Sequence, residues 1–145
     1  QMIIFRGKTT KFENDLEARR VTKILKYGKY NGYVYITCAI TRKPGHTIIL
    51  RIGETSRSER GLNTYRPVRS IREWKQADGK QTNMLGKFYA RKDLVIFIFP
   101  TKIPYEQKTL EAKFKQKHMI KHGKSPTFDK DSNYQYLINN DKWTN

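Results

Sequence analysis

Gly32-Tyr33-Val34-Tyr35-Ile36-Thr37-Cys38-Ala39-Ile40, then six residues containing Pro44-Gly45, then Thr47-Ile48-Ile49-Leu50-Arg51-Ile52-Gly53-Glu54-Thr55: the fold turns on this stretch. Both halves are rich in β-branched and aromatic residues, and the Pro-Gly pair supplies turn chemistry, so two antiparallel strands are expected. Side chains alternate along a strand, which puts Tyr33 and Tyr35 on one face. Downstream, Ser56 to Arg66 is polar and basic and carries the aromatic Tyr65 near its end. The hairpin therefore delivers tyrosines and arginines to one place.

Working outward, Met2-Ile3-Ile4-Phe5 is a short apolar run that reads as an edge strand or a loose arm. Leu16, Val21, Ile24 and Leu25 recur near helical spacing, with Asp15 and Glu17 placed to complement the helix dipole. They predict a helix over about 14–27, with Gly28 as its stop. The remaining basic positions, Arg19, Arg20, Lys23 and Lys26, fit a solvated face or a phosphate-touching one. After the hairpin, Ser56 or Ser58 can cap a helix running through Tyr65, and Pro67 can start another with Val68, Ile71 and Trp74 as its stripe. Residues 78–93, with Asp78-Gly79, Gly86 and mixed polar residues, read as an irregular connection with room for a short helical turn around Met84 to Tyr89. Leu94-Val95-Ile96-Phe97-Ile98-Phe99 is nearly continuous and apolar, which predicts a central strand buried on both faces, with Pro100 and Pro104 bracketing its exit. A last helix is expected over about 105–122, with Leu110, Phe114, Lys117 and Ile120 or Met119 at core spacing. Glu111, Lys115, His118 and His122 fall at intervals that align them along one stripe of it.

The chain of 145 residues suits one α+β domain: a helical extension over 1–30, a core over 31–129 and a packed tail over 130–145. It carries 30 Lys and Arg against 13 Asp and Glu, a net charge of +17. Residues 18–123 hold 24 of those bases and 7 of the acids, so the whole excess lies on the central segment. Such an excess points to a polyanion, because cations that displace counterions from phosphates gain affinity without reading bases. No disulfide framework or cysteine zinc site is possible with Cys38 alone. Without a long apolar run or a leader pattern, a soluble, intracellular and cytoplasmic protein is expected, in a prokaryotic or phage setting.

Gly32-Tyr33-Val34-Tyr35-Ile36 and Arg51-Ile52-Gly53-Glu54-Thr55 resemble the two halves of the GIY-YIG nuclease signature. Arg60 followed by Tyr65, Leu110-Glu111, and Pro126-Thr127-Phe128-Asp129 resemble the later arginine, glutamate and closing elements of that superfamily, in its order. The chain departs from the pattern in three ways: Arg51 stands in the second tyrosine slot, Asp129 stands where asparagine is usual, and the hairpin turn is longer. Counting from Gly32 puts Val34 in the first tyrosine slot, and one extra residue makes it Tyr35.

The resemblance implies a small three-stranded, mostly antiparallel sheet flanked by helices. It also implies an endonuclease of the restriction or homing kind that hydrolyses DNA phosphodiester bonds. In that scheme Tyr35, or its neighbour Tyr33, acts on the attacking water. Arg60 grips the phosphate bidentately, and Glu111 holds one Mg²⁺ or Mn²⁺ whose remaining ligands are waters and phosphate oxygens. A phenol is a poor base at its ordinary pKa, so Tyr35 needs cations nearby, for which Arg51 and Arg60 are the candidates. His118 is a further candidate for proton transfer, although as a pair His118 and His122 lack a third zinc ligand and read more simply as surface residues. Arg57, Arg66, Arg69, Arg72, Lys75 and Lys115 are the expected contacts to duplex DNA. Two other readings stand beside this one: a non-catalytic nucleic-acid-binding protein on the same scaffold, and a basic RNA-associated protein. Oligomeric state, monomer or homodimer, stays open.

Overall fold

The computed structural model describes residues 2–6, 11–40, 47–58, 61–62 and 93–126. In chain order they form β1 (Ile3–Arg6), α1 (Lys11–Tyr27), β2 (Gly32–Ile40), β3 (Thr47–Ser58), β4 (Gly61–Leu62), β5 (Asp93–Thr101) and α2 (Glu106–His122). The strands make one sheet in the order β1-β5-β2-β3-β4, with every neighbouring pair antiparallel. The fold is thus α+β as expected, but the three-stranded expectation is corrected to five strands among the described residues. Both additions come from pairing that local pattern does not encode. The N-terminal run pairs Ile3 with Ile98 and Phe5 with Ile96, so it is built into the sheet as an edge.

The β2–β3 hairpin forms where expected, and its Pro44-Gly45 turn lies outside the described residues. Thr37 faces Arg51 and the next residue, Cys38, faces Ile49, so Leu50 is an extra residue in a bulge. The bulge matters for what the sheet presents. Ile49 and Ile52 are an odd number of residues apart and would otherwise lie on opposite faces, yet both line the same cavity with Ile36. Cys38 is buried at the neighbouring position, and burial pushes its thiol up to about 12, so the sulfur stays a neutral packing atom.

β5 lies between β1 and β2, and Val95, Ile96 and Ile98 are buried. Pro100 is inside this strand rather than beyond it. The carbonyl of Thr101 accepts from Asn31 N–H on the β2 side at 2.9 Å, so Pro100, one residue earlier, turns its nitrogen to the other side. β1 has ended there, at Ile3 opposite Ile98, and the missing N–H costs no ladder bond.

Register divides the sheet into two faces. Tyr33, Tyr35 and Thr37 share one with Arg51, Gly53, Thr55, Ile96 and Ile98. Gly32, Val34 and Ile36 share the other with Ile52, Glu54, Phe99 and Thr101. α2 packs on this second face: the Gln107 side chain lies over Gly32, Phe114 meets Phe99 with ring centroids 4.9 Å apart, and His118 lies beside Ile36 and Ile52. The inward stripe of α2 is therefore Gln107, Leu110, Phe114 and His118, with Gln107 and His118 buried and the other two half-buried. Met119 and Ile120, expected in the core, are exposed, as is Lys117. α2 stops at Gly123, whose φ of 68° favours glycine and whose N–H donates to the Met119 carbonyl at 2.7 Å.

α1 lies against β1 and buries Ala18, Val21 and Leu25. Arg20 donates from Nη2 to the Ile4 carbonyl at 2.7 Å and pairs with Glu17 at 2.6 Å. It thereby covers one open acceptor of the edge strand, a structural role for a residue that was a candidate phosphate contact. Gly28 N–H still reaches the Ile24 carbonyl, and the left-handed turn that ends α1 is made by Lys29 at φ 53°.

The helix expected from Ser56 or Ser58 does not begin there. β3 runs on through Ser58, and Arg57 and Ser58 pair back with Leu62 and Gly61. The Pro67 helix and the 78–92 connection lie outside the described residues.

Candidate functional site

The tyrosine face is closed. Tyr33 and Tyr35 are 0% and 1% exposed and their ring centroids are 6.3 Å apart. Opposite Tyr35 stands Gly53, and the reason for that glycine is steric. A Cβ there would fall within 2.8 Å of Tyr35 Cε1 and closer still to Cζ and Oη. The glycine of the second motif thus makes room for the tyrosine of the first. Arg51 is on this face by register, opposite Thr37 and two residues from Gly53, and it is half-exposed. Neighbours at such a diagonal lie about 7–8 Å apart, within reach of a long side chain. Tyr33, Tyr35 and Arg51 therefore share one face, with Arg51 diagonal to Tyr35.

Glu111 and His118 are not brought to them. Both belong to α2, which packs on the opposite face of the sheet. Glu111 pairs with Lys115 at 3.5 Å, and the two are 23% and 43% exposed. His118, expected at the surface, is buried; its Nδ1–H donates to the Lys124 carbonyl at 2.8 Å, and its ring lies 4.5 Å from that of His122. His122 is exposed, yet its pKa is held below the ordinary range, chiefly by desolvation and then by His118, Lys121 and Lys124.

The metal implied for Glu111 would have that carboxylate as its one protein ligand and take the rest of its shell from water and phosphate. The carboxylate already has a lysine, the implied tyrosine is across the sheet, and among the described residues no three His, Cys, Asp or Glu side chains converge. Glu54 also faces α2 by register, and its Oε2 is buried without a partner, as are Gln107 Oε1 and Thr101 Oγ1.

Arg60, Arg66, Arg69, Arg72, Lys75 and Asp129 lie outside the described residues, and Arg57 is described only as a β3 residue opposite Leu62. Among the expected DNA contacts, only Lys115 has a described side chain, the one paired with Glu111. What the sequence reading missed is a stripe on α2: Lys113, Lys117 and Lys121, exposed at intervals of four, followed by Lys124. The interval is visible in the sequence, but core spacing claims Lys117 for the buried side. No helix among the described residues is long and apolar enough to cross a membrane. No family model, curated protein or solved structure matches this chain.

Proposed function

We propose that this protein binds nucleic acid through its phosphates, as a sequence-tolerant binding protein. The observation that carries the reading is the α2 stripe of Lys113, Lys117 and Lys121, all exposed. At 1.5 Å per residue their attachment points are about 6 Å apart, so three ammonium groups reach along one anionic backbone. Point charges on flexible stems suit backbone tracking and carry no base preference. The net charge of +17 supplies long-range attraction to the same partner.

Binding of a duplex of arbitrary sequence, measured across salt concentrations, tests this. Replacing Lys113, Lys117 and Lys121 with alanine is expected to weaken binding and flatten the log–log salt slope by about 2–3, near one unit per lost phosphate contact. An unchanged slope in that triple variant would remove the stripe from the interface.

Metal-dependent cleavage is a second reading, favoured by the packing of Tyr35 on Gly53, which gives the resemblance to the nuclease hairpin a steric reason. It requires Tyr35 and Glu111 to meet at one phosphate from opposite faces of the sheet. Supercoiled plasmid incubated with Mg²⁺ or EDTA, with Glu111→Ala and Tyr35→Phe as controls, decides between the two. Metal-dependent nicking lost in both variants would establish cleavage and require that meeting.

A further inference from the structure

Between α2 and the sheet, beside the lysine stripe, is an open cavity of about 180 Å³. Its floor is Ile36, Ile49, Ile52 and Phe114. Its rim is Lys117, Lys121, His118 and His122, all from α2. The two halves select different chemistry. An aliphatic and aromatic floor gives a bare phosphate no hydrogen bonds, so an inorganic anion has no reason to enter. A rim of two lysines and two imidazoles has no use for a neutral oil or a cation. The complementary ligand has an apolar body and an anionic group attached at its edge. The size narrows it further, because a drug-sized ligand needs at least about 300 Å³ and this cavity has room for a single ring system.

We propose that this cavity receives one unstacked nucleobase of a single-stranded nucleic acid, with the adjoining phosphate held by Lys117 and Lys121. The proposal rests on the nucleic-acid reading above and specifies which form of nucleic acid is preferred. The base lies against Phe114 and the isoleucines, a contact open to every base because each has a π-face. His118 adds a polar contact. Its Nδ1–H is committed to the Lys124 carbonyl, so in the neutral ring Nε2 is an acceptor for an N–H on the base edge. The phosphate then meets the end of the stripe that continues through Lys113. The bulge at Leu50 is what makes the floor, because it turns Ile49 to the same side as Ile52.

A negative group on the rim also bears on His122. The titratable groups around it are Lys117, Lys121, Lys124 and the His118 imidazole, whereas the sheet contributes only isoleucines to the cavity. Binding is therefore expected to tighten as pH falls through the His122 titration, because a bound phosphate favours the charged ring that desolvation first, and then His118, Lys121 and Lys124, hold back.

The test compares three ligands on the full chain at one salt concentration: a thymidylate oligonucleotide, the same oligonucleotide with abasic sites, and a duplex of equal length. Base stacking predicts binding about tenfold weaker for the abasic strand. Imidazole signals of His118 and His122, followed by NMR, are expected to move with thymidine 5′-monophosphate and much less with inorganic phosphate or thymidine. Equal affinity for the abasic and thymidylate strands, with unmoved imidazole signals, overturns the base pocket. If duplex binding through the lysine stripe survives that result, the broader reading stands without the pocket; if none of the three ligands binds, both fall. Displacement of the mononucleotide by decanoate at equal concentration would also overturn the proposal, by assigning the cavity to an alkyl anion. Because the abasic comparison changes the ligand, its outcome does not depend on any variant folding.

Discussion

On the tyrosine face, the ring of Tyr35 fills the space where a side chain at position 53 would stand. On the helix face, Gln107 Oε1, Glu54 Oε2 and Thr101 Oγ1 are buried with no partner, against only Thr37 Oγ1 among the described residues of the tyrosine face. One face is closed by shape, and the other is left incomplete in its hydrogen bonding and open at its far end. A surface that has used its volume on packing has little left with which to bind. The face with orphaned oxygens, a cavity and a row of lysines is where ligands are to be sought. This is the reverse of what the motif order suggests, since that order makes the hairpin tyrosines the centre of the chemistry.

The largest effect that could break this contrast is Gly53→Ala. A methyl there must displace a buried ring that is 1% exposed, and overpacking of that kind costs about 1–3 kcal/mol. The urea midpoint is expected to fall accordingly, and to be partly restored when Tyr35→Leu is added, since shortening the ring removes the conflict. An alanine tolerated at position 53 without loss would mean that the tyrosine face is loose and that its closure is not a property of the fold.

Gln107→Met is the matching change on the helix face, with the opposite sign. An amide oxygen buried without a partner costs desolvation and returns nothing, so an apolar isostere of similar length should be neutral or stabilising by up to about 1 kcal/mol. A clear loss of stability would show that Oε1 has a partner in solution and that the helix face is better satisfied than its side chains suggest.

Legibility in the sequence followed the same divide. The β2–β3 hairpin and β5 were readable because β-branched runs are a local signal, and the shared face of Tyr33 and Tyr35 follows from alternation alone. For β1 the sequence allows strand or arm, because only its pairing with Ile96 and Ile98 decides the matter. Ser56 and Ser58 looked like helix caps, and the backbone instead stays extended to pair with Gly61 and Leu62, a tertiary choice that overrides a local preference. The phase of α2 was misread for a chemical reason. Its two most buried residues, Gln107 and His118, are polar, whereas Ile120 is 77% exposed, so hydrophobicity points to the wrong side of the helix. Motif order placed Glu111 correctly on the last helix, but nothing in that order states which face of the sheet the helix will cover. For the candidate site this was the decisive gap.

The smallest effect concerns pH. In the unfolded chain His122 titrates near its ordinary 6.5, and in the folded chain its pKa lies lower. Above that window both states hold a neutral ring and nothing is gained or lost. As pH falls through 6.5, the unfolded state takes up the proton first, so the folded state loses stability until its own, lower pKa is passed. The ring is exposed, and solvent keeps the effect small. The expected result is a slightly larger drop in the urea midpoint between pH 7.5 and pH 5.5 for the parent chain than for His122→Gln. Desolvation is the first cause and the charges of His118, Lys121 and Lys124 follow it, so added salt should remove only part of that difference. Complete removal by salt would reverse that ranking and make the helix face a purely electrostatic surface. A difference that persists in salt keeps the apolar floor of the cavity in the explanation, because Phe114 and the isoleucines line the same cavity as that ring.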